Sequence, residues 1–406
     1  SALWTRPAKD IKEEQYQEFF SHIGAGFGKP LLTMHNNTEG TISYTNLICI
    51  PSTRPFDLFN PDRKSSLKLY INRVFITDKC DALIPSYLRF IKGLVDTQDI
   101  DLNVSREMLQ NNPAVAKISK SLVGKILREL KKVSEKNADG YKSFWKEYGA
   151  VLKEGLYEDA ERKEALLDLC RFSTNENDDP ISLSGYVEKM PEKQKDIYYI
   201  SAETKDQALA SPHLEGFKSK KIPVLSMTDA IDQFWLPMVG SFKEKKFTSI
   251  TQGQINLDDL DEKNKDKKKD DTNEKEKKDK EYVDIVAQLK VVLGDQVKDI
   301  RLSSKLTDSP VCLVADEGDM DIAMEQLMAQ RDTNYKGAPR ILEINGDHSL
   351  IKNMKSLLSK KENNDLVSDA GTLLFEQARL MEGKMPADPA QFSKIMNQFL
   401  LKAIPN

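Results

Sequence analysis

Residues 24–29 read Gly-Ala-Gly-Phe-Gly-Lys, a glycine-rich run ending in lysine, the composition that cradles phosphate in nucleotide-binding loops. A P-loop requires a glycine separated by four residues from its Gly-Lys pair and a Ser or Thr directly after it. Ile23 and Pro30 hold those places. The run also follows a helical pattern rather than a strand, so a dinucleotide fingerprint fails as well, and the stretch reads as a turn. His22, His35, His213 and His348 share no metal-ligand spacing. Cys49, Cys80, Cys170 and Cys312 lie far apart, and no pair forms Cys-x-x-Cys, so reduced thiols are expected rather than disulfides or zinc. No Ser or Cys has an evident base beside it, and no complete catalytic constellation is visible.

Two constellations remain. In "LNVSREMLQNN", Ser105 is a good helix N-cap and the residues after Arg106 are good helix formers. Arg106 then sits in a first turn, where the helix dipole already places partial positive charge and a cation needs an anion opposite. Gln110 lies one turn further on the same face. Together they could offer a fork of donors and an amide to a phosphate; a structural salt bridge would answer the same need. The second constellation is Met320, Met324, Leu327 and Met328, at i, i+4, i+7 and i+8 of a helix, with Ile322 off that line. Flexible, polarizable methionines suit contact with varied apolar partners, and they suit a core equally well.

The elements that must carry these residues divide the chain of 406 residues into several domains. A first block (3–140) mixes a helix in "DIKEEQYQEFFSHI" with alternating strands in "GTISYTNLICI" and "SLKLYINRVFI". Leu83 to Leu94 reads as a helix broken near Gly93, and Ser105 to Asn137 as a long helix interrupted near Pro113. A helical connector follows (141–176). In 177–256, "DIYYIS" and "KIPVLSM" read as short buried strands flanking a helical crossover, which predicts parallel pairing in a small α/β unit. Residues 257–281 form a charged linker: Asp261 to Glu281 holds nine lysines, nine acidic residues and nothing apolar, and reads as a spacer or solvated helix.

In 282–406, Tyr282 to Leu293 is amphipathic, two strands precede the methionine helix, "PRILEIN" supplies a third strand, and three helices close the chain. The second of these runs from Asp365 to Glu382 and stops at Gly383. The last opens with Asp388 as N-cap and Pro389 at the first helical position. Its stripe of Phe392, Ile395, Met396, Phe399, Leu400, Ala403 and Ile404 is wide for a terminal helix. Burial against a second copy, two helices from each chain, would cover it. The expected fold class is α/β (α+β) and multidomain. A net charge of −4 gives no reason to expect nucleic acid or an anionic membrane as partner, and no apolar run approaches the ~20 residues of a membrane span.

"LWTRPAKDI", "RPFDLF", "LYINRVFITDKCDALIPSYLRFIKGLVDTQDIDLNVSREMLQNN", "YKSFWKEYG", "QKDIYYIS" and "VKDIRLSSKLTDSP" together resemble the heat-shock protein 90 family of chaperones, in its bacterial form. The resemblance covers essentially the whole chain and corresponds to the family's middle and C-terminal domains. The chain is therefore expected to be a fragment lacking the N-terminal ATP-binding domain.

The resemblance implies a cytoplasmic homodimer that holds unfolded or partly folded client proteins, with co-chaperones as further partners. It implies ATP and Mg2+ as cofactors of the full-length ATPase, and no activity for the fragment alone. It assigns Arg106 and Gln110 to the catalytic loop, with Arg106 reaching the γ-phosphate of ATP. Met320, Met324, Leu327 and Met328 match a client-binding helix. Leu373 and Leu380, with Phe392, Ile395, Met396, Phe399 and Leu400, match the dimer interface. One departure concerns the small α/β unit, where Gln233 and Phe234 stand in place of the Glu-Trp of bacterial members and Trp235 follows one position later. A dimeric scaffold whose methionine stripe is core is the rival reading.

Overall fold

The computed structural model describes residues 2–26, 28–63, 67–260, 268–361 and 363–404. The chain forms two compact units, residues 1–171 with 237–239 and residues 172–236 with 240–406. Both mix helices with small sheets, an α+β architecture as expected from the sequence.

The first unit is built on a mixed sheet of β1 (Leu32–Thr38), β2 (Tyr44–Ile50), β3 (Lys68–Ile71), β4 (Val74–Thr77) and β5 (Lys92–Thr97), in the order β1-β2-β5-β3-β4. Only the β3–β5 pairing is parallel. Leu47, Cys49 and Leu94 present one face to Tyr16 and Phe20 of α1 (Glu13–His22), where Trp4 also packs. On the other side the Tyr44 hydroxyl meets Ser121 at 2.7 Å, on the long helix Pro113–Lys136.

The expected helix over Leu83 to Leu94 is not formed. Short turns, including a 3-10 turn at Ser86–Leu88, lead into β5. The apolar spacing misled because this segment is buried on every side, Tyr87, Leu88 and Phe90 completely, so no polar face marks its true period. Gly93 is required in β5: its φ is +129°, and a Cβ there would lie 2.2 Å from the Leu47 carbonyl oxygen. The single strand expected in "SLKLYINRVFI" is two strands, folded back at Asn72 and Arg73, whose φ values of 50° and 66° are those of a tight hairpin turn.

In the second unit, strand Ile197–Ser201 pairs in parallel with Leu225–Met227, as the strand-helix-strand pattern predicts, and in parallel with Lys245–Ser249 on its other edge. A second sheet orders Val297–Leu302, Arg340–Ile344 and Val311–Val314, the first pair parallel and the second antiparallel. Its core gathers Ile285 and Leu289, from helix Val283–Leu293, with Ile351, Val367, Leu374 and Phe375. Part of the charged run, 261–267, lies outside the described residues; Lys268–Glu281 is helical. Lys278 and Glu281 at its end pair with Asp347 and Lys355.

A polar seam ties the two sheets of this unit together. Glu215 accepts the backbone N–H groups of Thr307 and Asp308, each at 2.9 Å, and of Ser309 at 3.0 Å, together with the Ser309 hydroxyl. The Lys305 ammonium, buried, donates to the Ile250 carbonyl at 2.6 Å. Gly216 lets the backbones close, since a Cβ there would be 2.6 Å from the Lys305 carbonyl oxygen. Burial alone would raise the Glu215 carboxyl; the Ser309 hydroxyl and the backbone donors outweigh it and hold the group below its ordinary value. A carboxylate lowered on folding stabilises above its unfolded pKa, and that contribution is lost as pH falls through its folded value. Glu215→Gln is therefore expected to lower the urea midpoint of the second unit at neutral pH. It should also flatten the loss of stability that begins near the ordinary carboxyl value of 4.5, as read by tryptophan fluorescence of Trp235 across an acid series.

Candidate functional site

The Arg106 segment is short and anchored at one point. Helix α2 (Arg106–Gln110) starts at Ser105, whose hydroxyl accepts the Met108 N–H at 3.4 Å. It ends at Asn111, and Asn112 then caps the long helix by accepting from Ala114 and Val115 at 2.8 and 3.3 Å. Pro113 occupies the first position of that helix, which explains the interruption. Leu109 is buried and pins the turn, while Arg106 and Gln110 are both exposed. Leu102 and Met108, also exposed, flank the arginine with apolar surface. Among the described residues no carboxylate pairs with Arg106. The salt bridge that would have explained the residue structurally is absent from the described residues.

Gly24 and Ala25, which open the Gly24–Lys29 run, cap a helix; Phe27 of that run lies outside the described residues. Ala25 and Gly24 donate their N–H groups to Phe20 and Ser21 at 2.9 and 3.2 Å, closing the end of α1 with Gly24 at φ +78°. Those donors are not turned toward a ligand. Among the described residues no group of three or more His, Cys, Asp or Glu side chains could hold a metal ion. All four cysteines are buried, and burial pushes the Cys49 thiol up to about 12, far from a nucleophile's range.

The methionine helix spans Ile322–Arg331, starting two residues later than the sequence spacing implied and running three residues further. Asp321 caps it by accepting the Ile322 N–H, which leaves Met320 outside the helix, exposed, with the Tyr335 hydroxyl 3.9 Å from its sulfur. Ile322, which the sequence placed off the stripe, is the buried anchor together with Glu325. Met324, Leu327 and Met328 are half-buried. They form neither a closed core nor a fully solvated face. The same Asp321 carboxylate accepts the Ser249 and Thr251 hydroxyls at 2.8 and 2.7 Å, fixing the helix start against the small sheet. Trp235 is fully buried and donates to Asp232 at 2.7 Å, whereas Phe234 is half-buried with the Arg331 guanidinium 6.0 Å from its ring centre.

The last two helices, Asn364–Met381 and Pro389–Ala403, pack on each other. Leu373 and Ile395 are buried within the chain, Phe392, Met396 and Phe399 are half-buried, and Phe399 touches the core. Leu380 and Leu400 are exposed. The sequence stripe missed three neighbours: Leu401, Met381 and Met385, exposed at 75, 62 and 71 %. With Ile404 they make a run of exposed large apolar side chains, of the kind that marks interaction surfaces.

Sequence reasoning also missed Asp321, Glu325 and Arg340. Glu325 and Arg340 form a buried ion pair at 2.7 Å, and Glu382 lies 3.6 Å from the same guanidinium. Their separation along the chain hides the network; the only local signal is a glutamate among methionines. No helix among the described residues is long and apolar enough to cross a membrane.

Comparison with known proteins gives one consistent result. The sequence profile of the Hsp90 protein family matches residues 1–405. The "Chaperone protein HtpG" of Roseobacter denitrificans is 45% identical over 406 residues, which is 100% of this chain and 65% of that protein. That of Paramagnetospirillum magneticum is also 45% identical, over 100% of this chain and 64% of the relative. That of Wolbachia pipientis wMel is 42% identical, over 99% of this chain and 63% of the relative. The chain thus spans under two thirds of the length of the relatives it matches.

Proposed function

Given that the chain belongs to the Hsp90 protein family of chaperones, we propose that it is the client-holding and dimerising portion of such a chaperone. In the full-length protein it would supply Arg106 to an ATPase site whose nucleotide and Mg2+ are held elsewhere. The observation that supports the arginine role is an exposed guanidinium in the first turn of α2 without a carboxylate partner among the described residues. A cation in that position is relieved by an anion brought to it, and a transferring phosphoryl group is such an anion. Arg106 would stabilise charge as it develops, and Gln110, one turn away, would orient the same group.

Client holding rests on Met324, Leu327 and Met328, half-buried on a helix whose other face is anchored by Ile322 and Glu325. Flexible thioethers on a fixed helix can repack against different apolar sequences. Dimerisation rests on the exposed apolar run of Leu380, Met381, Leu400, Leu401 and Ile404. A second copy is the occupant that would bury it. The domain boundaries expected from the sequence remain part of this reading, with 282–406 as the dimerising portion.

In the full-length protein, Arg106→Ala is expected to slow ATP hydrolysis by roughly 10³-fold, the scale of an arginine-finger loss, while nucleotide affinity by calorimetry stays near wild type. An unchanged rate would remove the role. Replacing Met324 and Met328 by Ser should abolish suppression of aggregation of a denatured test protein without moving the melting midpoint; a collapse of stability would favour the scaffold reading. A chain ending at Ala387 should run as a monomer in light scattering, and persistence of a dimer would contradict the assigned interface.

A further inference from the structure

In the first unit α1, which covers one face of the sheet, ends at His22. Next to that end lies an open cavity of about 900 Å³. Ile23 to Gly26, the opening of the run that fails as a P-loop, line it on one side. Pro51 and Pro55, from the turn after β2, line it on another. Gly24 and Gly26 have nothing within 4 Å of where a Cβ would stand, so that wall is free space rather than packed side chain.

The strand register brings two lysines to this cavity. Lys68 of β3 pairs with Leu94 of β5, and Lys92 of β5 pairs with Cys49 of β2. Leu94 and Cys49 belong to the core under α1, and residues paired across strands share a face. Lys68 and Lys92 therefore stand on the α1 face, and both line the cavity where the helix no longer covers the sheet. An all-apolar sheet face would continue the core here; this one turns cationic instead.

Arg63 adds a third cation. Its side chain is 8 % exposed and pairs with Asp57 through Nη1, while its buried Nε has no hydrogen-bond partner among the described residues. Buried donors are as a rule satisfied. Burial pushes the half-buried Lys92 ammonium below its ordinary pKa, Arg63 and Lys68 add to this, and Asp57 opposes it. Three cations thus act within reach of one another, with Asp57 as the carboxylate among them. Asp62, Asp78 and Lys79 also line the cavity but are exposed, where solvent and salt screen their charge.

We propose that this cavity binds a phosphate group, free or as the monoester of a small organic molecule, through Arg63, Lys68 and Lys92. The inference is independent of the client-holding and arginine roles proposed above. A phosphate near neutral pH carries a charge of about −1.5 to −2, which matches the excess of three cations over Asp57. Its tetrahedral oxygens can accept from donors on different strands at once, which a carboxylate does less well. Lysine serves as a point charge in such a site, and the Arg63 Nε supplies a directed N–H. Ile23, Pro51 and Pro55 offer apolar contact to the organic part of a monoester.

The test is calorimetric titration of the full chain with inorganic phosphate, phenyl phosphate and acetate. Both phosphates are expected to bind with a Kd below about 1 mM, and acetate not to bind. Tighter binding of phenyl phosphate identifies a monoester as the ligand, and equal binding identifies free phosphate; either outcome supports the site. Lys92→Met and Lys68→Met keep the aliphatic stem and should each weaken phosphate binding roughly 10-fold or more. Lys352→Met, the same charge change at an exposed residue of the second unit, should leave it unchanged. Circular dichroism melts verify that each variant folds, and either cavity lysine alone suffices for the test. Absence of phosphate binding overturns the proposal, as does acetate binding as tightly as phosphate. Full affinity in both cavity variants, or equal losses in all three, places the anion elsewhere and overturns it too.

Discussion

The place of the methionine helix depends on one carboxylate. Asp321 accepts the Ile322 N–H, which starts the helix, and the hydroxyls of Ser249 and Thr251, which bind that start to the end of a strand of the small sheet. A helix N-terminus carries partial positive charge, so an aspartate there is favoured on its own account. Here the same oxygens also join the helix to the small sheet. Glu215 repeats the device a short distance along the seam, with backbone N–H groups of Thr307, Asp308 and Ser309 as donors. Both are carboxylates that accept backbone N–H groups, donors that cannot be repositioned without moving backbone, and Asp321 adds two side-chain hydroxyls. The methionines can then be mobile at their tips while the helix under them stays fixed.

The buried Arg340 network works under the opposite constraint. A buried ion pair gains little net stability, because desolvation offsets most of the Coulomb attraction. It does fix register, since removing one partner leaves a charge stranded. Arg340 begins the central strand of its sheet, Glu325 lies mid-way along the methionine helix, and Glu382 caps the helix that leads to the exposed apolar run. Gln326 adds a hydrogen bond to the Glu382 carbonyl at 2.8 Å. The helix that carries the methionines and the end of the penultimate helix are therefore locked to one strand by side chains that tolerate no apolar slip.

Much of this architecture was legible where burial is one-sided. The helices Val283–Leu293 and Pro389–Ala403 show a clean amphipathic period, the latter capped by Asp388, while the parallel pair Ile197–Ser201 and Leu225–Met227 was legible instead as two short apolar runs flanking a helical crossover. Legibility failed in two physical situations. Segments buried all round, such as Leu83 to Leu94, lose the polar face that reveals their period. Strands rich in polar residues, such as the edge strand Leu32–Thr38 and the strand Lys245–Ser249, lack the apolar alternation that would announce them. The hairpin at Asn72 and Arg73 escaped because neither residue of its left-handed turn is glycine. At the sites, local spacing found Arg106, Gln110 and the methionines. The partners that position them, Asp321 with Ser249 and Thr251, or Glu325 with Arg340, are brought together only by the tertiary fold.

The two candidate sites differ in how their charges are treated, and the difference follows from what each would meet. Arg106 stands exposed on a turn of five residues held by the single buried side chain of Leu109. A guanidinium kept solvated there pays no desolvation until an anion arrives, and it keeps the freedom to follow a moving partner. Glu325, by contrast, is buried and paired with Arg340 on the helix that carries the methionines. A mobile arginine suits a reaction completed by another domain. A helix locked by that ion pair and carrying flexible methionines on its other face suits contact with many loosely defined apolar segments.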